Sequence, residues 1–145
     1  MSHILLLCLY ASLGTLGFGF VFNAKKDKLV FILIGGLLNI VTYELVLYYS
    51  NNLFLSSLIC ASVTYIYSSI LAVFTKAPAI IYILTGLLPV VPGSSLFYTM
   101  QNLVLGHYDL AKQYAITTII ITLGIACGIA VFSVGMNFYK DLKRK

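Results

Sequence analysis

Charge is what this sequence has least of. Only 9% of its 145 residues are Asp, Glu, Lys or Arg, against about a quarter in an average soluble chain, which excludes a water-soluble domain with an ordinary surface. Cysteine is nearly missing as well. Cys8, Cys60 and Cys127 each stand alone in an apolar run, with no second cysteine or histidine at metal-ligand spacing and no paired pattern that would build a disulfide framework. The sequence holds no His-Glu-x-x-His, no Walker lysine motif, no Gly-x-Ser-x-Gly elbow and no pair of carboxylates inside a hydrophobic run. Enzyme chemistry, a metal site and a bound cofactor are therefore not expected. The opening Met1-Ser2-His3 lacks the Lys or Arg of a signal-peptide n-region, so the apolar stretch behind it is expected to be retained.

What fills the chain is hydrophobicity, with 61% of residues apolar. Four runs carry no charge (4–22, 53–74, 79–105 and 114–138), and a fifth (29–49) carries only Glu44. Each reaches the length, about 20 residues, that a helix needs to cross a hydrocarbon core of roughly 30 Å. The expected fold is an all-α integral membrane protein, a single transmembrane domain with five transmembrane helices. The net charge of +5 does not point to nucleic acid, because the basic residues flank the hydrophobic runs. Placing the first loop (Lys25, Lys26, Lys28) in the cytoplasm puts Lys76 and the tail (Lys140, Lys143, Arg144, Lys145) there too and leaves only Lys112 outside. Retention of Lys and Arg on the cytoplasmic side then predicts an outward N-terminus and a cytoplasmic C-terminus.

The fourth run is unusual. As one straight helix, 79–105 would span about 40 Å at 1.5 Å per residue, more than the core requires. It is interrupted by Pro89-Val90-Val91-Pro92-Gly93, whose prolines lack the amide hydrogens that would pair with the carbonyls of Thr85 and Leu88. Helix is expected to stop there and restart at Ser94. Residues 79–88 cover about 15 Å, which sets the break near mid-membrane, where irregular backbone is tolerated only when buried in protein or lining a water-filled cavity. Ser94 or Ser95 is expected to cap the second half-helix, whose positive end would suit a carboxylate. The carbonyls freed at Thr85 and Leu88 would suit an ammonium or cation. Thr85, Pro89, Pro92, Gly93, Ser94 and Ser95 are thus the candidate substrate-binding residues, against the plainer alternative of a packed kink.

Other features weigh less. Glu44 is the one acid inside a run and a candidate proton carrier, because a charge at membrane depth is costly; interfacial placement beside Tyr48 is the equal alternative. Asn39 is expected to bond a neighbouring helix, and Gly124 and Gly128 form a Gly-x-x-x-Gly pair suited to close helix packing. Ser57, Ala61, Thr64, Ser68 and Ala72 recur at helical spacing and read as a packing stripe. His107 and Asp109 read as a solvated pair in the outer loop 106–113.

Several of these residues form a recognisable pattern. Gly17-Phe18-x-x-Val21-Phe22-Asn23 closes the first run, Pro78 opens the fourth, and Leu88-Pro89-x-x-Pro92-Gly93-Ser94 is followed by Tyr98-Thr99-Met100. From about residue 14 to 135 the chain resembles the threonine/serine exporter family, specifically its short subunit, equivalent to the C-terminal membrane half of fused exporters. The resemblance implies a secondary transporter of the bacterial cytoplasmic (inner) membrane that exports small amino or carboxylic acids, threonine/serine-like or dicarboxylate, beside a larger membrane subunit. Five spans with an outward N-terminus would follow a five-span half that begins in the cytoplasm, giving two inverted halves with a substrate site between them. With Glu44, proton coupling is the expected drive. The competing reading is a non-transporting structural subunit that scaffolds a partner.

Overall fold

The computed structural model describes the backbone of residues 2–144 and the side-chain environment of residues 6–135. It is all helix: α1 (Ser2–Val21), α2 (Lys26–Ser50), α3 (Leu53–Thr75), α4 (Ala79–Leu87), a single 3-10 turn (Leu88–Val90), α5 (Gly93–Val104) and α6 (Tyr108–Arg144). The connections are tight because the chain supplies residues that tolerate left-handed backbone. Asn23, Asn51 and Lys76 take φ of 52°, 48° and 50° after α1, α2 and α3, and their following turns return amides to the last carbonyls of each helix. Asn52 then starts α3, its Oδ1 accepting from the amides of Phe54 (3.0 Å) and Leu55 (3.2 Å). This is a side-chain N-cap that satisfies two otherwise free donors.

The α5–α6 connection is shorter than the sequence suggests. The expected outer loop 106–113 is helical from Tyr108 onward. Gly106, at φ +76°, reverses the chain in one residue, the His107 carbonyl accepts the amide of Ala111 at 3.0 Å, and Asp109 falls in the first turn of α6. There an acid stabilises the positive end of the helix, so a polar composition that reads as loop is a helix start.

Helix α3 is the hub, packed between α2 and α6 and also against α4; α1 leans on α2 and α4, while α5 lies along α6. Small residues set the α3–α6 spacing. A Cβ on Gly124 would overlap Ser57 Oγ and come within 2.8 Å of the Phe54 carbonyl, and one on Gly128 would come within 3.0 Å of Ala61 Cβ. Both are separations that only glycine permits, as expected where helix association in lipid depends on close backbone approach.

By length and composition, α2, α3 and Tyr108–Gly135 of α6 are each able to cross a membrane, and α4 with α5 makes a fourth, bent candidate. The fifth expected span, α1, is apolar, but its stretch Leu6–Val21 is shorter than the other candidates. The large apolar side chains left exposed along these helices, among them Leu9, Phe20, Val73, Phe97 and Ile119, fit a lipid environment, where apolar surface needs no protein cover.

Candidate functional site

The Pro89–Gly93 segment breaks the fourth run as the prolines require. Ala79–Val90 and Gly93–Val104 meet at 54°. Local bonding differs from the expectation in two respects. The Leu88 carbonyl, expected to be free because Pro92 has no amide hydrogen, accepts instead from the amide of Val91 at 3.3 Å, since the chain tightens into a 3-10 turn before it breaks. Helix restarts at Gly93 rather than Ser94, with Pro92 as the residue before it and no side-chain cap. Neither Ser94 nor Ser95 is therefore the cap that the composition predicts. A glycine can take the first helical position itself, which moves both serines inside the first turn. The first helical bond of α5 runs from Leu96 to the Pro92 carbonyl at 3.1 Å, so the Ser94 and Ser95 amides precede it, as first-turn amides do.

Thr85, one turn before Pro89, is fully buried. Its hydroxyl donates to the Ile81 carbonyl of its own helix at 2.7 Å. Beside it Gly86 lets α4 approach α3 so closely that a Cβ there would stand 2.9 Å from Thr64 Cγ2. Thr64 in turn meets α2. Asn39 Nδ2 donates to Thr64 Oγ1 at 2.7 Å, while Thr64 Oγ1 donates to the Cys60 carbonyl at 2.9 Å. Asn39, Thr64, Ser68 and Thr85 all have no exposed surface. The result is a polar centre where α2, α3 and α4 converge, on the α4 side of the break.

This centre is incompletely satisfied. Asn39 Oδ1 and Ser68 Oγ are buried without a hydrogen-bond partner. An unpaired buried polar atom costs roughly 1–3 kcal/mol, and native structures contain few of them. The two lie on α2 and α3, helices that pack against each other.

At the break itself, Leu88 and Pro89 join Leu7, Tyr10, Ala11, Gly14 and Ile40 around an apolar hollow of about 200 Å³. Val90, in the 3-10 turn, packs with Ala11, Ile40, Cys60 and Ile121 in a core cluster. The 3-10 turn before the break is thus held by α1, α2, α3 and α6. The α5 side differs: Ser94 is exposed, Ser95 half-buried, and α5 has no buried residue.

Glu44 stands apart. It lines a separate hollow of about 340 Å³ with Val41, Leu45, Tyr48 and Tyr49, all from α2, and that hollow shares no residue with the one beside the break. The residues that composition singled out around the break lie together because they are consecutive. Thr64 comes beside them only through folding, through its close approach to Gly86. The stripe in fact divides: Ser57 and Ala61 face the glycines of α6, and Thr64 faces Asn39 and Gly86. Nothing in the spacing of one helix separates those two roles.

With this geometry in place, comparison with known families becomes informative. The family model described as "Threonine/Serine exporter, ThrE" matches residues 7–134, nearly the whole described bundle and every residue of the break. The chain belongs to the threonine/serine exporter family. It is thereby a transporter-type membrane protein, in agreement with its apolar helices. A search of curated proteins and of solved structures returns no match.

Proposed function

We propose that this member of the threonine/serine exporter family is the small membrane subunit of a secondary transporter that exports small amino or carboxylic acids, threonine/serine-like or dicarboxylate, across the bacterial inner membrane. In this reading it works beside a larger membrane subunit, with its N-terminus outside and its C-terminus in the cytoplasm. The observation that carries it is the broken helix in direct contact with a buried, under-satisfied polar centre. The first-turn amides of Ser94 and Ser95 and the positive end of α5 offer a binding place for a carboxylate. Asn39 Oδ1 and Ser68 Oγ, both without a partner, offer acceptors for an ammonium or hydroxyl, the other polar groups of a small hydroxy amino acid. Pro89, Pro92 and Gly93 keep the backbone open between the two, and Thr85 lines the carbonyl side.

The polar centre is sealed from solvent in this conformation, so solute reaches it only when the helices around the break rearrange. Alternating access by movement of one half against the other supplies that rearrangement in transporters with discontinuous helices. Glu44, half-buried on α2, is the proposed proton carrier, five residues along the same helix from Asn39. The test is an export screen over amino acids and dicarboxylates in cells lacking endogenous exporters, with the chain expressed alone and beside its larger partner. Export is expected only when both are present. Equal export by the partner alone would favour the scaffold reading, and absence of export in both settings would contradict transport.

A further inference from the structure

A second site lies at the opposite end of α4 from the break. The turn between α1 and α2 and the turn between α3 and α4 come together around a pocket of about 290 Å³, lined among others by Asn23, Lys25, Lys28, Lys76, Pro78 and Tyr82. Among the described residues its lining holds three lysines and no carboxylate. Two of the lysines come from one turn and the third from the other, so the cluster is a product of the fold rather than of local sequence.

The helix ends around this pocket are unequal. The ends of α1 and α3 are closed by their own chain: the amides of Phe22, Asn23 and Ala24 bond Phe18, Phe20 and Gly19, and the Ala77 amide bonds Ala72. The starts of α2 and α4, preceded by Lys25 and Pro78, have no side-chain cap. The last carbonyls of α1 are thus largely satisfied internally and that of Ala72 in α3 is too, while the starts of α2 and α4 have no side-chain cap bond; Asp27 sits in the first turn of α2 but does not line the pocket. The floor is fixed by Tyr82, only 2% exposed, whose hydroxyl donates to Thr75 Oγ1 at 2.9 Å and ties α4 to the last turn of α3.

We propose that this pocket binds the phosphate of an acidic membrane lipid. Three ammonium groups from two turns match a phosphodiester, and basic pockets between spanning helices are a recognised form of headgroup site. The surroundings favour a lipid over a free ion. Val21 and Phe74, in the last turns of α1 and α3, are 74% and 79% exposed, and Ile80 at the start of α4 is 56% exposed. These side chains lie within two residues in sequence of the pocket's lining and leave apolar surface at that end of the bundle along which acyl chains can lie. The volume is just below the range of about 300–1,000 Å³ of pockets that enclose a whole drug-sized ligand, which fits a headgroup whose tails remain outside.

The test reconstitutes the full chain in vesicles of phosphatidylglycerol and phosphatidylcholine, extracts it gently, and counts retained lipids by native mass spectrometry. Phosphatidylglycerol should be retained and phosphatidylcholine not. Each of Lys25→Gln, Lys28→Gln and Lys76→Gln should reduce retention about fivefold, and the triple variant about a hundredfold. Lys112→Gln, at the other end of the bundle, should change nothing. The single variants keep the test open should the triple variant fail to insert. Equal retention by native and single-variant chains, or an equal loss with Lys112→Gln, would overturn the proposal. Complete displacement of the lipid by millimolar inorganic phosphate would assign the pocket to a free anion and overturn it too. The readout is independent of export, so it stands or falls apart from the transport reading.

Discussion

The two halves of the broken segment are built from one apolar run and end in opposite surroundings. Helix α4, with 9 residues, buries Tyr82, Thr85, Gly86 and Leu87 against α2 and α3. Helix α5, with 12 residues, buries none and packs chiefly along α6, leaving Phe97, Met100 and Val104 at 63%, 60% and 88% exposure. Their compositions explain the contrast. The α4 face carries a glycine and a threonine that admit close helix approach and turn their polar atoms inward. The α5 face carries bulky apolar groups that fit lipid or another protein surface equally well. One half is fixed by the chain's own packing, and the other is free of it.

That contrast can be broken by substitution, and the largest effect is expected at Gly86. Gly86→Val places carbon where Thr64 already stands 2.9 Å away and should destabilise the chain by about 1–3 kcal/mol, the usual cost of overpacking, measured by denaturant unfolding in detergent micelles. A matched change on α5, Met100→Ser, should leave unfolding within about 0.5 kcal/mol while reducing export measured beside the larger subunit. If both changes destabilise the isolated chain equally, the halves are not different in the way described.

The caps give the next contrast. Asn52→Ala removes two hydrogen bonds at the start of α3 and should cost about 1 kcal/mol. Ser94→Ala at the start of α5 removes no cap bond and should cost at most a few tenths by the same measurement. A loss at Ser94 as large as that at Asn52 would show that the serine caps α5 after all.

A smaller stability effect separates structure from transport. Asn39→Leu deletes the bond to Thr64 but also removes the unpartnered Oδ1, so stability should fall by about 0.6 kcal/mol or less, the average for such bonds in membrane bundles. Export should nevertheless be lost. Full export by this variant would reduce Asn39 to a packing residue.

How much of this was legible in the sequence follows from which features are local. The break was readable because two missing amide hydrogens and a length excess are properties of consecutive residues. The hydrophobic runs were readable for the same reason; α2 and α3 end at Ser50 and Thr75, one residue beyond the runs 29–49 and 53–74, where Asn51 and Lys76 take left-handed backbone. The start of α6 was misread, since Asp109 looks like a loop residue until Gly106 turns the chain and the helix dipole uses the acid; His107 does lie in the connection. The serine cap was misread because Gly93 claims the first helical position. The polar centre was legible only in part: Asn39 does bond a neighbouring helix as expected, but which hydroxyl of α3 meets α2 rather than α6 depends on how the helices rotate against one another.

The most direct test of the central claim is export of threonine and serine from cells that carry the larger subunit together with either the native chain or the double variant Pro92→Ala, Gly93→Ala. With membrane insertion of both verified, the account predicts that the variant, whose backbone no longer has to break at Pro92 and restart at Gly93, exports no more than cells lacking the chain. Export at the native rate would contradict a transport site built on the broken helix.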